Sequence, residues 1–219
     1  MSASSNQPAH KNTSSDTHIE SQNYRVMIES LAATKTWLFV PATRIDRVAK
    51  AFASGADVVI VDLEDAVAQV DKAQARVALK AYYDAEHDAK SYRPIWLRIN
   101  QASSAEFVKD LALCQQLPKL AGVLLAKAEQ PADIERVYQE AGLPVIALIE
   151  NAMGLYRIEA MAKASGLLAF SYGFLDLCND LQVQVGTASA DIIANQMRYQ
   201  LILTSKVHRL LAPIDCVYA

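Results

Sequence analysis

The 219-residue sequence has no excess of basic charge: 21 Lys and Arg stand against 24 Asp and Glu, a formal net charge of −3. With a pI near 5.8 there is no basic field for nucleic acid or an anionic membrane, and neither is expected as a partner. Cysteine is scarce. Cys114, Cys178 and Cys216 are odd in number and widely spaced, which excludes a disulfide framework and a closed zinc site and fits a reducing cytoplasm. Cys178 follows Asp176 by two positions and either lines the same pocket or is a small buried hydrophobe. No apolar run approaches the roughly 18 residues of a membrane helix. Residues 1–24, MSASSNQPAHKNTSSDTHIESQNY, lack the apolar centre of a signal peptide. They are too polar to offset the entropy of ordering. A disordered tail is expected there, with His10 and His18 solvated, and a single domain over 25–219.

About half of the chain is hydrophobic, and its pattern is regular. TWLFV (36–40), DVVIVDLED (57–65), IWLRIN (95–100), GVLLAK (122–127), VIALIE (145–150), LLAFSYG (167–173) and PIDCVYA (213–219) read as seven strands. Their near-continuous apolar character is that of strands buried on both faces. Amphipathic helices are expected between them, over RIDRVAKAFASG, DKAQARVALKAYYDAEHDAK, SAEFVKDLALCQQL, PADIERVYQEAG and SADIIANQMRYQLILTSKVHRLL, with Ser104 and Ser189 as candidate caps. Alternation without hairpin signals predicts a parallel sheet. A doubly wound sheet wants a glycine-rich loop after its first strand, and FVPATR has none. The fold expected is a TIM-type β/α barrel, which gathers its chemistry at the strand C-terminal ends. The eighth strand and a C-terminal segment are not found before Ala219.

Polar residues fall at those strand ends. Asp62, Glu64 and Asp65 repel one another and need a cation or donors nearby, unless they merely begin a helix. Arg98, on a buried strand with Asn100 beside it, must meet an anion: either the Asp62 cluster or a substrate carboxylate. Lys127 suits a Schiff base, a buried pair or a substrate contact. Glu150 and Asp176 are read as the ends of adjacent strands, about 4.8 Å apart. They can converge on one small ion, and two carboxylates completed by water and substrate oxygens suit Mg²⁺, with Mn²⁺ as the substitute.

LFVPATRIDRVAKAFASGADVVIVDLEDAV, LRIN, ALIENAMGL and SYGFLDL, in this order and spacing, resemble the citrate lyase β-subunit family, with its malyl-CoA and citramalyl-CoA lyase relatives. The resemblance runs from about Leu38 to the C-terminus. It implies a Mg²⁺-dependent barrel that cleaves a carbon–carbon bond in a 3-hydroxy-3-carboxy acyl thioester. It places the metal on Glu150 and Asp176, substrate binding on Arg98 and Glu150, and the CoA side on Phe39, Arg44 and Lys50. The sequence departs from the family at Ala42 and Cys216, where glycine is usual. The family also continues beyond the equivalent of Ala219 into a segment that reaches a neighbouring subunit of a trimer and carries an acidic catalytic residue.

The expected chemistry is retro-Claisen cleavage to a keto acid and an acyl thioester. Arg98 clamps the carboxylate, and Glu64 and Asp65, with Asp62, orient water around the ion. The thioester is carried by CoA or by an acyl-carrier protein. Two alternatives stand beside this: an aldolase acting on free hydroxy keto acids, and a weakly active CoA-binding protein. Unpaired edges at TWLFV and PIDCVYA further predict self-association, as a homotrimer.

Overall fold

A computed structural model describes residues 29, 31–87, 89, 92–117 and 119–217. The chain divides into two units, Met1–Thr34 and Lys35–Ala219. In the first, residues 29, 31 and 32 are helical, and the expected tail over 1–24 lies outside the described residues.

In the second unit, six strands form one parallel sheet: β1 (Trp37–Pro41), β2 (Val58–Asp62), β3 (Trp96–Ile99), β4 (Gly122–Leu125), β5 (Val145–Ile149) and β6 (Leu167–Tyr172). Their order in space is their order in sequence. A doubly wound sheet reverses direction at a switch point, and this one does not; it winds one way, as a barrel does. Every residue of β2, β4, β5 and β6 is buried, so the apolar runs were strands covered on both faces. Pro41 pairs with Asp62, Asp62 with Arg98, Ile99 with Leu125 and Ile149 with Tyr172. This register brings the C-terminal ends of the strands to one rim.

The expected seventh strand is a correction. PIDCVYA contributes one parallel bridge, Ile214 to Ser171, and the sheet is not closed among the described residues. Pro213 has no N–H to donate, and the Asp215 carboxylate turns to its neighbour's N–H at Cys216 and to the Tyr172 hydroxyl.

The helices are α1 (Val48–Ala53), α2 (Lys72–Glu86), α3 (Phe107–Cys114), α4 (Pro131–Ala141), α5 (Ala152–Tyr156), α6 (Ile158–Met161), α7 (Phe174–Asp180) and α8 (Ala188–His208). The helix expected over RIDRVAKAFASG is split, because residues Ala42–Arg47 form a tight 3₁₀ turn interrupted at Arg44. α4 starts on Pro131 and stops at Gly142, whose left-handed φ of 68° suits glycine. α8 is capped by Thr187, not Ser189: the Thr187 hydroxyl accepts from the Ala190 N–H at 3.3 Å. Likewise Ser104 lies two residues ahead of the α3 cap at Glu106, whose N–H it accepts at 3.1 Å.

Buried polar contacts fix the rim. Arg76 on α2 donates to Glu106 at 2.5 Å and to Asp110 on α3 at 2.8 Å. Asp110 is fully buried and accepts from the Asn100 N–H and side-chain amide at 3.0 and 2.6 Å. The same amide, with the Lys72 ammonium, holds the Leu63 carbonyl. The turn after β2 is thereby tied to β3 and to both helices.

Candidate active site

Asp62 and Arg98 face each other in register where β2 and β3 end. Arg98 Nε and Nη2 donate to the two Asp62 oxygens at 2.7 and 2.6 Å, a fork-on-fork pair. The same oxygens accept from the Glu64 and Ala66 N–H groups at 2.8 and 3.0 Å. Of the two readings of Arg98, the ion pair with the Asp62 cluster is formed. Nη1 points elsewhere, 3.5 Å from Glu64 Oε2, and the guanidinium carbon lies 5.0 Å from the centre of the Phe39 ring. Burial opposes the charge on Arg98, but Asp62 outweighs it and raises the pKa.

Beyond this pair lies an acidic centre. Lys127 Nζ is 2.6 Å from Glu64 Oε1, 3.2 Å from Asp65 Oδ2, 3.0 Å from Asp176 Oδ2 and 4.0 Å from Glu150 Oε2. The structure thus brings Glu64, Asp65, Lys127, Glu150 and Asp176 together, with Arg98 beside them. Of the readings open for Lys127, the ion-paired one is formed. Its ammonium pKa is raised: burial works against it, and the Glu64 and Asp176 carboxylates prevail.

Glu150 follows β5 directly and is buried, accepting the Lys127 N–H at 3.0 Å. Burial pushes its pKa up to about 7, against Lys127. Burial likewise raises Glu64, partly offset by Lys127 and Arg98. Asp176 does not end a strand, which corrects the sequence reading. β6 stops at Tyr172, and Asp176 lies in the first turn of α7, where helix N-termini favour acids. Its side chain is 40% exposed.

Lys127 stood out in the sequence as a polar residue at a strand end, but the backbone angle that aims it did not, and Gly173 was not singled out at all. Lys127 adopts a left-handed φ of 46°, which directs both its N–H and its ammonium to the carboxylates. A side chain on Gly173 would collide with Glu150 Oε1, so glycine makes the room that Glu150 occupies. The Gly in SYGFLDL was the one available hint.

The oxygen-only donors suit a hard divalent cation. Glu150 and Asp176 already share one cation, the Lys127 ammonium, within 4.0 Å. Among the described residues no three His, Cys, Asp or Glu form a cage, so an ion here would keep positions open for water and substrate.

Arg44 and Lys50 are not among the groups at this centre, and Phe39 lies between them and it, beside Arg98. All three line a cleft of about 600 Å³ with Arg47 and Ser54. Arg44 is paired with Asp46 at 3.0 Å on the surface, a contact that solvent weakens. Cys178 is buried in α7, the small-hydrophobe reading.

A singly wound parallel sheet with ionisable groups collected at its C-terminal rim is the arrangement of the β/α-barrel class, whose enzymes carry their chemistry at that rim. Residues 35–219 match the HpcH/HpaI aldolase/citrate lyase family, and the chain belongs to that family of carbon–carbon lyases. It is 40% identical over 151 residues to a citrate lyase subunit beta-like protein of Mycobacterium tuberculosis H37Rv, covering 67% of this chain and 50% of that protein. It is 30% identical over 187 residues to an L-malyl-CoA/beta-methylmalyl-CoA lyase of Cereibacter sphaeroides, covering 78% and 56%. The chain therefore spans about half the length of these curated relatives. Among solved structures, the citrate lyase beta subunit of M. tuberculosis complexed with oxaloacetate and magnesium superposes with a TM-score of 0.72 at 33% identity, over 86% of this chain and 81% of that one. Protein CitE of the same organism, in complex with magnesium, acetoacetate and coenzyme A, gives 0.73 at 32%, over 85% and 67%.

Proposed function

We propose that this chain carries a Mg²⁺-dependent site that cleaves a 3-hydroxy-3-carboxy acyl thioester, of citryl, citramalyl or malyl type, into a keto acid and an acyl thioester. The observation that carries the reading is the meeting of Glu64, Asp65, Glu150 and Asp176 around one cationic group on the rim. Glu150 and Asp176 would hold the ion, with Mn²⁺ able to replace Mg²⁺. When bound, such an ion supplies Lewis-acid polarisation of the substrate's oxygens.

The remaining work falls to the chain. Asp62 holds two nitrogens of Arg98, so the guanidinium is fixed in place, and Nη1, now 3.5 Å from Glu64 Oε2, is the nitrogen that would meet the substrate carboxylate. Glu64 and Asp65 position water beside the reacting hydroxyl. A base takes the hydroxyl proton, and that oxygen's electron pair forms the keto group as the carbon–carbon bond breaks. The bond's own pair passes to the thioester enolate, which then takes a proton. Arg44 and Lys50 are set to meet the phosphates of CoA, or of the pantetheine arm of a carrier protein, and Phe39 stands between cleft and rim. A cytoplasmic, homotrimeric protein completes the reading.

A panel of hydroxyacyl-CoA esters tests it, with keto acid and free CoA thiol followed separately. Keto acid release that needs Mg²⁺ and stops with EDTA is expected. One relative, 29% identical over 183 residues, is named a (3S)-malyl-CoA thioesterase of C. sphaeroides. Thiol release without keto acid would therefore replace cleavage by hydrolysis as the reading. Keto acid release indifferent to EDTA would remove the metal from it.

A further inference from the structure

One ammonium stands among all four carboxylates of the acidic centre. Its partners come from three separate stretches: the turn after β2, the end of β5 and the first turn of α7. Carboxylates this close repel one another unless a cation stands among them. The backbone is bent to supply that cation, since Lys127 is one of three non-glycine residues with positive φ among those described. The contacts are unequal. Glu64 is the nearest partner at 2.6 Å and is buried; Asp176, at 3.0 Å, is part-exposed, and Glu150 is farthest at 4.0 Å. A compact charge on a flexible four-carbon stem can therefore stay with Glu64 while leaving the other two.

The geometry points to Lys127 as an internal counterion that competes with a divalent cation for Asp176 and Glu150, releasing both when the cation binds and keeping Glu64. This rests on the reading of Glu150 and Asp176 as metal ligands. Lys127 is then a positioning residue with two opposed effects. It holds the carboxylates together, and it lowers their affinity for the metal. A purely structural ion pair would have the first effect alone.

Mn²⁺ binding, followed by electron paramagnetic resonance on the full chain, separates these roles. Lys127→Gln is expected to bind Mn²⁺ roughly tenfold more tightly than the unaltered chain, because a unit charge beside both ligands is gone. Its melting temperature before Mn²⁺ is added should be lower, and the gap should narrow as Mn²⁺ is added. Equal or weaker binding by the variant, where the unaltered chain binds, overturns the inference and leaves the ligand assignment standing. No binding by either overturns the assignment and the inference with it. A second measurement needs no stable Gln variant: ¹⁵N resonances of the lysine ammonium groups in the unaltered chain, with Lys127 identified by its absence from Lys127→Arg. Added Mg²⁺ should shift that signal and speed its hydrogen exchange; an unmoved signal at saturating Mg²⁺ overturns the inference.

Discussion

Glu150 owes its position to a glycine. Because a Cβ at Gly173 would run into the Glu150 carboxylate and its Cγ, Gly173→Ala should push Glu150 off the centre while β6, which ends one residue earlier, stays buried. At least about tenfold weaker Mn²⁺ binding is expected with only a modest drop in melting temperature, the scale on which supporting residues act on metal sites. Mn²⁺ affinity unchanged in that variant would show that Glu150 is not a ligand or can shift freely. Glu150→Gln and Asp176→Asn test the ligands themselves. Each removes one charge at nearly constant shape, so metal-dependent turnover should vanish while the circular dichroism spectrum is kept. Retained metal stimulation in both would sink the assignment. The sequence made Glu150 and Asp176 legible because acids at the ends of apolar runs stand out. It could not show that Arg98 is committed to Asp62, or that Lys127 reaches four carboxylates, because both depend on which strands are neighbours and on one unusual backbone angle.

Legibility among elements followed burial. β2, β4, β5 and β6 announced themselves because a strand covered on both faces is a continuous apolar run. α5, α6 and α7 were missed because stretches of 4 to 7 residues hold too few turns for a helical period to show. Missing α7 is why Asp176 was read at a strand end. The α2–α3 contact was equally hidden, since Arg76 and Glu106 lie 30 residues apart. It also sets a pH response. The hydrogen bond from Lys109, opposed by burial and joined by those from Arg76 and Gln69, holds Glu106 down at about 2, against an ordinary 4.5. A carboxylate depressed on folding stabilises the fold above its unfolded pKa, and this is lost as pH falls through the folded value. Urea unfolding of the unaltered chain and Glu106→Gln should therefore differ most above about pH 4.5 and converge toward pH 2. A gap that stays constant across that range would show that Glu106 gains nothing from its charge.

At the scale of the molecule, the sheet has an edge at β1 and another at β6, where Ile214 makes a single bridge. Between them lies a cavity of about 500 Å³ walled by Trp37, Phe39, Trp96, Ile146, Leu148 and Ile214. Unpaired strand edges beside apolar surface favour pairing with another chain. Light scattering at micromolar concentration is expected to give a mass above that of one chain, in keeping with a trimer; a cooperative melt at monomer mass would refute this. The sequential strand order has a further consequence, for the growing polypeptide. Each strand emerges from the ribosome beside the partner made just before it, so β1 to β6 can be added one at a time. Glu64 and Asp65 are then in place before Lys127 is synthesised, and Lys127 before Glu150 and Asp176. During synthesis the cation thus arrives between the first pair of acids and the second, and the four like charges never have to be gathered without it.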